Sequence, residues 1–185
     1  MSGPRIRPAA REKAARVKLL LLDVDGVLTD GRIAYDAEGG ETKACYVRDG
    51  HGIKMLREAG VEVGIVTGRR SAVVEIRARE LGIALVHQGV SDKVAVWCAI
   101  SLDRRLEPEA TAYVGDDVQD VPLMRRVGFA AAAADAEAGV LATAPYVAAR
   151  PGGHGAVRDI ADFILHDHGA WETATAEYLA GRDSA

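Results

Sequence analysis

The chain has 185 residues, 49% of them hydrophobic and 27% charged, with a formal net charge of −4. This length suffices for one hydrophobic core, and the composition is that of a globular protein, not a disordered or fibrous one. The acidic balance supplies no basic field for nucleic acid or an anionic membrane, and no run approaches the roughly 20 apolar residues of a membrane span, so a cytoplasmic protein is expected.

Residues 1–16, MSGPRIRPAAREKAAR, are basic and broken by two prolines, without the apolar stretch of a leader; they are expected to form a short arm outside the fold. From residue 17 onward, short apolar runs alternate with amphipathic segments, the pattern of a parallel sheet with crossover helices. Strands are expected at 17–22, 61–66, 83–86, 112–114, 129–131 and 146–148, and helices at 52–58, 71–81, 93–102 and 118–127. Ser71 ahead of AVVE reads as a capped helix start, and the Leu-Gly pair at 81–82 as its stop. Residues 32–47, RIAYDAEGGETKACYV, break the alternation and read as a β-hairpin turning at AEGG. AAAAADAEAG at 130–139 suits helix or loop, and a glycine-rich turn at 151–155 leads into a last helix. Residues 169–185, with Trp171 and Tyr178, are expected to be a loose tail, leaving one α/β domain at 17–168 built on an open parallel sheet.

Polar residues follow four of these strands in turn: Asp23 and Asp25, then Thr67, then Lys93, then Asp116, Asp117 and Asp120. In a parallel sheet all four ends share one edge, so the groups converge in space. Several carboxylates there would repel unless a hard cation sits among them, and magnesium favours such oxygen ligands together with substrate phosphate. Asp23 is then placed to act as nucleophile, Asp25 as general acid and base, and Thr67 and Lys93 as donors to the phosphoryl oxygens. Gly26 lets the chain turn sharply after the pair. Alone, each residue has a plainer reading: a turn cap, a strand end, a surface lysine, an acidic turn. The two cysteines, Cys45 and Cys98, are far apart and fit neither a disulfide framework nor a zinc site. His166 and His168 stand two apart on a helix and share no face; His51 and His87 read as loop or packing residues, and His154, in its glycine-rich turn, as a residue that could touch substrate.

In these residues the chain resembles the haloacid dehalogenase superfamily: DVDGV looks like its first motif, Thr67 its second, Lys93 its third and GDDVQD its fourth. DVDGVLTDG, YVRDGHGIKML, IVTGRR, YVGDDVQDVPLM and GGHGAVRDI, within residues 17–165, resemble a subfamily of acid-sugar phosphatases without a large cap domain. These act on the 8-phosphate of eight-carbon 3-deoxy-D-manno-octulosonate, a lipopolysaccharide precursor, or on 9-phosphates of nine-carbon sialic-acid-type sugars. The resemblance implies Mg2+ held by Asp23, the Asp25 backbone carbonyl and Asp116, with Asp117 and Asp120 in support. It implies substrate contacts from Asp25, Arg48, Asp49, Gly50, Lys54, Gly68, Arg69, Arg77 and Lys93. It further implies a homotetramer in which the hairpins pack together and a neighbouring subunit completes each site. A phosphoacceptor receiver domain shares the fold class but puts its acidic pair and its phosphorylated aspartate after different strands. A silent module of this fold has no use for Asp25, and the superfamily's dehalogenases lack that second aspartate.

Overall fold

Leu19–Leu22 form a strand buried on both faces, which is why the sequence there is an unbroken apolar run rather than an alternating one. The computed structural model describes residues 3–180. In chain order its elements begin with β1 (Arg5–Ile6), α1 (Ala10–Ala14), β2 (Leu19–Leu22), β3 (Ala34–Tyr35), β4 (Glu41–Thr42) and α2 (Val47–Glu58). There follow β5 (Glu62–Thr67), α3 (Ala72–Glu80), β6 (Leu85–Gln88), α4 (Lys93–Arg104), β7 (Thr111–Gly115) and α5 (Val121–Met124). The last are β8 (Phe129–Ala132), α6 (Ala138–Thr143), β9 (Tyr146–Val147), α7 (Ala156–Asp167) and α8 (Trp171–Leu179).

Seven strands make the main sheet in the order β1-β9-β8-β7-β2-β5-β6, parallel throughout except for β1. Leu20 and Leu22 of β2 face one apolar layer, with Ile53 and Leu56 of α2 and Ile160 and Ile164 of α7. Leu19 and Leu21 face the other, with Trp97 and Ile100 of α4 and Leu123 of α5. Each such leucine contributes about 1.5–3 kcal/mol on burial. The result is a central strand clamped from both sides, its C-terminal end pointing to the sheet edge where ligands of open α/β folds bind.

The six expected strands are all present, within two residues at either end. The expected hairpin forms a separate two-stranded sheet, Ala34 opposite Thr42 and Tyr35 opposite Glu41. Its turn is held by Asp36, whose Oδ1 accepts the N–H groups of Glu38 (3.1 Å) and Gly40 (2.5 Å).

Four expectations need correction. Residues 1–16 are not an arm outside the fold: β1 pairs with β9, and Ala10 and Ala14 of α1 are fully buried. Small alanines on one helix face pack as tightly as leucines but leave little periodic signal. Nor is the segment from 169 a loose tail as far as it is described. Trp171 stacks on His166 (centroids 4.3 Å apart), and the Tyr178 hydroxyl donates to Glu58 Oε2 at 2.8 Å. Residues 181–185 lie outside the described residues. Helix 118–127 is instead a 3-10 turn (Val118–Asp120) running into the short α5, which has proline in its first turn. Ser71 stands at the N-cap of α3 but its hydroxyl caps nothing; its N–H donates to Gln88 Oε1 at 2.8 Å.

Candidate active site

The Asp23 N–H donates to Val114 O at 3.0 Å, continuing the β2–β7 ladder one residue past β2. That bond places Asp23 at the sheet edge, 2% exposed. The chain then turns at Gly26, where φ is +81° and a Cβ would lie 1.9 Å from Asp116 Oδ2. Only glycine lets the loop approach Asp116 this closely.

Asp23 Oδ1 accepts the Val24 N–H (2.7 Å) and Oδ2 accepts the Lys93 ammonium (2.7 Å). Lys93 is the first residue of α4, behind an N-cap Asp92 that accepts the Ala95 N–H. Its Nζ also donates to Asp120 Oδ1 (2.6 Å) and to the Tyr113 hydroxyl (3.0 Å), which itself donates to Asp120 Oδ1 (2.6 Å). The other Asp120 oxygen accepts the N–H groups of Asp116 (3.0 Å) and Asp117 (3.2 Å). Asp117 caps the following turn through the Val118 N–H. Asp120 and Asp117 thus shape the loop that presents Asp116.

Charge in this cluster is unbalanced. Burial pushes the Asp23 carboxyl up against the pull of Lys93. Burial pulls Lys93 down, but the carboxylates of Asp23 and Asp120 outweigh it and hold the ammonium above its ordinary value. Burial, together with Asp120, Asp23 and Asp117, pushes Asp116 up to about 7. Asp23, Asp116 and Asp120 each bring a carboxylate oxygen within 4.8 Å of the others. Asp116 has no ion pair among the described residues, and this all-oxygen donor set fits a hard divalent cation, which would hold all three carboxylates ionised.

Thr67 is the last residue of β5 and buried, beside the Asp23 edge, and Gly68 lies across from Val90 O and Gln119. Arg69 reaches Asp25, Nε to Oδ2 at 3.6 Å, and donates to the Tyr35 hydroxyl of the hairpin at 2.9 Å. Arg77 passes against Gly50, where a Cβ would be 2.3 Å from Nη2, and pairs with Glu80. With Val24, Leu28, Lys43 and Ile65 it lines a recess of about 10 Å³ beside the Asp25 loop. That volume holds at most one water, so a single chain does not enclose a sugar in this recess.

Other expected substrate contacts are not assembled within the chain. Arg48 and Lys54 are exposed on α2, and among the described residues no hydrogen bond or ion pair joins them to the aspartates. Asp49 does not face the edge: it is 1% exposed and its Oδ1 accepts the Arg158 N–H of α7 at 2.8 Å. It caps a helix from another element, so its carboxylate is spent on the fold, and burial pushes it up to about 6. His154 is exposed in its glycine-rich turn. Cys45 and Cys98 are free thiols. Two participants went unnoticed in the sequence. Tyr113 is hidden in the apolar run of β7, and Lys43 reads as one charge among several in the hairpin. Strand alternation from the buried Asp23 network could have flagged Tyr113; nothing local flags Lys43.

No protein-family model matches the chain. A 3-deoxy-D-manno-octulosonate 8-phosphate phosphatase of Yersinia pestis is 44% identical over 164 residues, 89% of this chain and 88% of its own. The chain belongs to this phosphatase family. It is accordingly a phosphoric monoester hydrolase with the haloacid dehalogenase fold that the motifs implied. A family member from Moraxella catarrhalis, solved with a magnesium ion, a phosphate ion and KDO, superposes with a TM-score of 0.89 at 38% identity, covering 91% of this chain and 97% of its own. The cobalt-bound family enzyme of Haemophilus influenzae gives 0.85 at 38% identity over 91% and 99%. Among the described residues of this family member, no helix is long and apolar enough to cross a membrane.

Proposed function

We propose that the chain hydrolyses 3-deoxy-D-manno-octulosonate 8-phosphate to the free sugar acid and phosphate through an aspartyl-phosphate on Asp23, in lipopolysaccharide precursor synthesis in the cytoplasm. The observation that carries this reading is the buried Asp23, bonded to Lys93 at 2.7 Å and clustered with Asp116 and Asp120. Asp23, the Asp25 carbonyl and Asp116 would hold magnesium, as the oxygen donor set allows. When bound, the cation supplies positive charge to the phosphoryl oxygens and to the nucleophilic carboxylate.

Asp23 attacks phosphorus while the ester P–O bond breaks, and the departing sugar oxygen takes a proton from Asp25. Lys93, already aligned on Asp23, and Thr67 stabilise the equatorial oxygens as charge redistributes. Water then attacks the aspartyl-phosphate and gives a proton to Asp25, and the P–O bond to Asp23 breaks to return the carboxylate. Arg69 and Arg77 suit a substrate that carries a carboxylate as well as a phosphate. The exposed apolar side chains of Tyr35, Val47 and Ile76 support a homotetramer in which a neighbour covers the sugar. Phosphate release from the eight-carbon 8-phosphate and a nine-carbon 9-phosphate, each with and without magnesium, tests the reading. Preference for the eight-carbon ester, dependent on magnesium, is expected; equal turnover of simple phosphate esters would mark a generalist.

A further inference from the structure

We infer that Lys43, on the returning arm of the hairpin, is a positioning residue that sets the orientation of Asp25. Its side chain is 1% exposed, and its ammonium ion-pairs with Asp25 Oδ1 and with Glu41 Oε1, the latter at 3.3 Å. The second Asp25 oxygen faces Arg69 Nε at 3.6 Å. Each oxygen of Asp25 therefore has its own cation, neither of them Lys93, which serves Asp23 and Asp120.

A buried ammonium is costly unless paired, so its two carboxylate partners define where it can sit. Glu41 belongs to β4 and Arg69 also grips Tyr35 of β3, so both cations on Asp25 are tied to the hairpin. Asp25 itself is on a loop with 21% of its side chain exposed, and it has no other ion pair among the described residues. A side chain that must meet first the leaving oxygen and then a water gains from being held in one place, since misplacement by about 1 Å can cost on the order of 100-fold. The hairpin is then more than a cover: seating it aims the acid/base group.

This inference rests on Asp25 as the acid/base group but not on the identity of the sugar, so the test uses p-nitrophenyl phosphate with Mg2+ in parallel with the sugar phosphate. Wild type, Lys43→Met, Lys43→Arg, Asp25→Asn and the Lys43→Met/Asp25→Asn double variant are compared by kcat and KM. Lys43→Met is expected to lower kcat on the order of 10- to 100-fold with KM little changed, and Lys43→Arg to recover most of the loss. In the Asp25→Asn background the Lys43→Met change is expected to cost nothing further. An equal loss in both backgrounds, or a loss carried by KM, would overturn the inference, because Lys43 would then be a substrate contact or a general hairpin anchor. If the wild type turns over the aryl ester but not the sugar phosphate, the substrate assignment fails while the Lys43 comparison still decides.

Discussion

Replacing Lys93 by Met removes the one ammonium in the buried cluster and leaves Asp23, Asp116 and Asp120 facing each other. Two ion pairs are lost, at 2.7 Å to Asp23 and 2.6 Å to Asp120, along with a 3.0 Å bond to Tyr113. Breaking a buried pair by deleting one partner costs roughly 3–5 kcal/mol. At about 2–4 °C per kcal/mol for a domain of this size, metal-free Lys93→Met should melt roughly 6–20 °C below wild type at pH 8. The sign with pH follows from Asp116, raised to about 7, and Asp23, also raised. A carboxyl raised in the folded state stabilises while protonated and loses that contribution as pH rises through its folded pKa. The deficit of the variant should therefore narrow toward pH 5 and widen toward pH 8. Magnesium, neutralising the same carboxylates, should raise the variant's Tm more than the wild type's. Thermal unfolding by circular dichroism in EDTA and in Mg2+ measures all of this. A variant as stable as wild type in EDTA at pH 8 would refute the charge balance described for the cluster.

Asp49 makes a second test, because its carboxyl is raised from 3.8 to about 6. Its stabilising contribution is full below about pH 4 and lost as pH rises through about 6, roughly 3 kcal/mol for a pKa difference of about 2. Asp49→Asn keeps the acceptor for Arg158 N–H without the charge, so it should be more stable than wild type at pH 7.5. Asp49→Ala loses the cap and should fall about 1–2 kcal/mol below Asp49→Asn in urea unfolding; the reverse order would show that Asp49 is not a cap. Tyr113→Phe, which strips a buried hydroxyl from Lys93 and Asp120, should cost about 1–3 kcal/mol by the same assay. Gly26→Ala forces a Cβ to 1.9 Å from Asp116 Oδ2 and should weaken Mg2+ binding in calorimetry; unchanged affinity would take Asp116 out of the metal site.

The parallel sheet was legible because β2, β5, β6 and β7 are short apolar runs between helical segments, and the four polar groups lie at their C-terminal ends or a short loop beyond. Lys93 and Asp23 were readable for the same reason, since strand order alone brings them to one edge. Three kinds of feature were not. α1 relies on Ala10 and Ala14, whose burial leaves no strong periodicity. Asp49 entered the substrate set through the family resemblance, and nothing in YVRDG hints that it caps a helix over a hundred residues away. Lys43 and Asp25 are joined only through the folding back of the hairpin, a contact eighteen residues apart that no local pattern encodes.

The most direct test of the central claim is phosphate release from 3-deoxy-D-manno-octulosonate 8-phosphate by wild type and Asp23→Asn, both with magnesium and both shown to be folded. The geometry predicts steady turnover by the wild type and none above background for Asp23→Asn, whose amide cannot carry the phosphoryl group. Turnover by Asp23→Asn at the wild-type rate would contradict it, and the nucleophile would have to be sought elsewhere in the cluster.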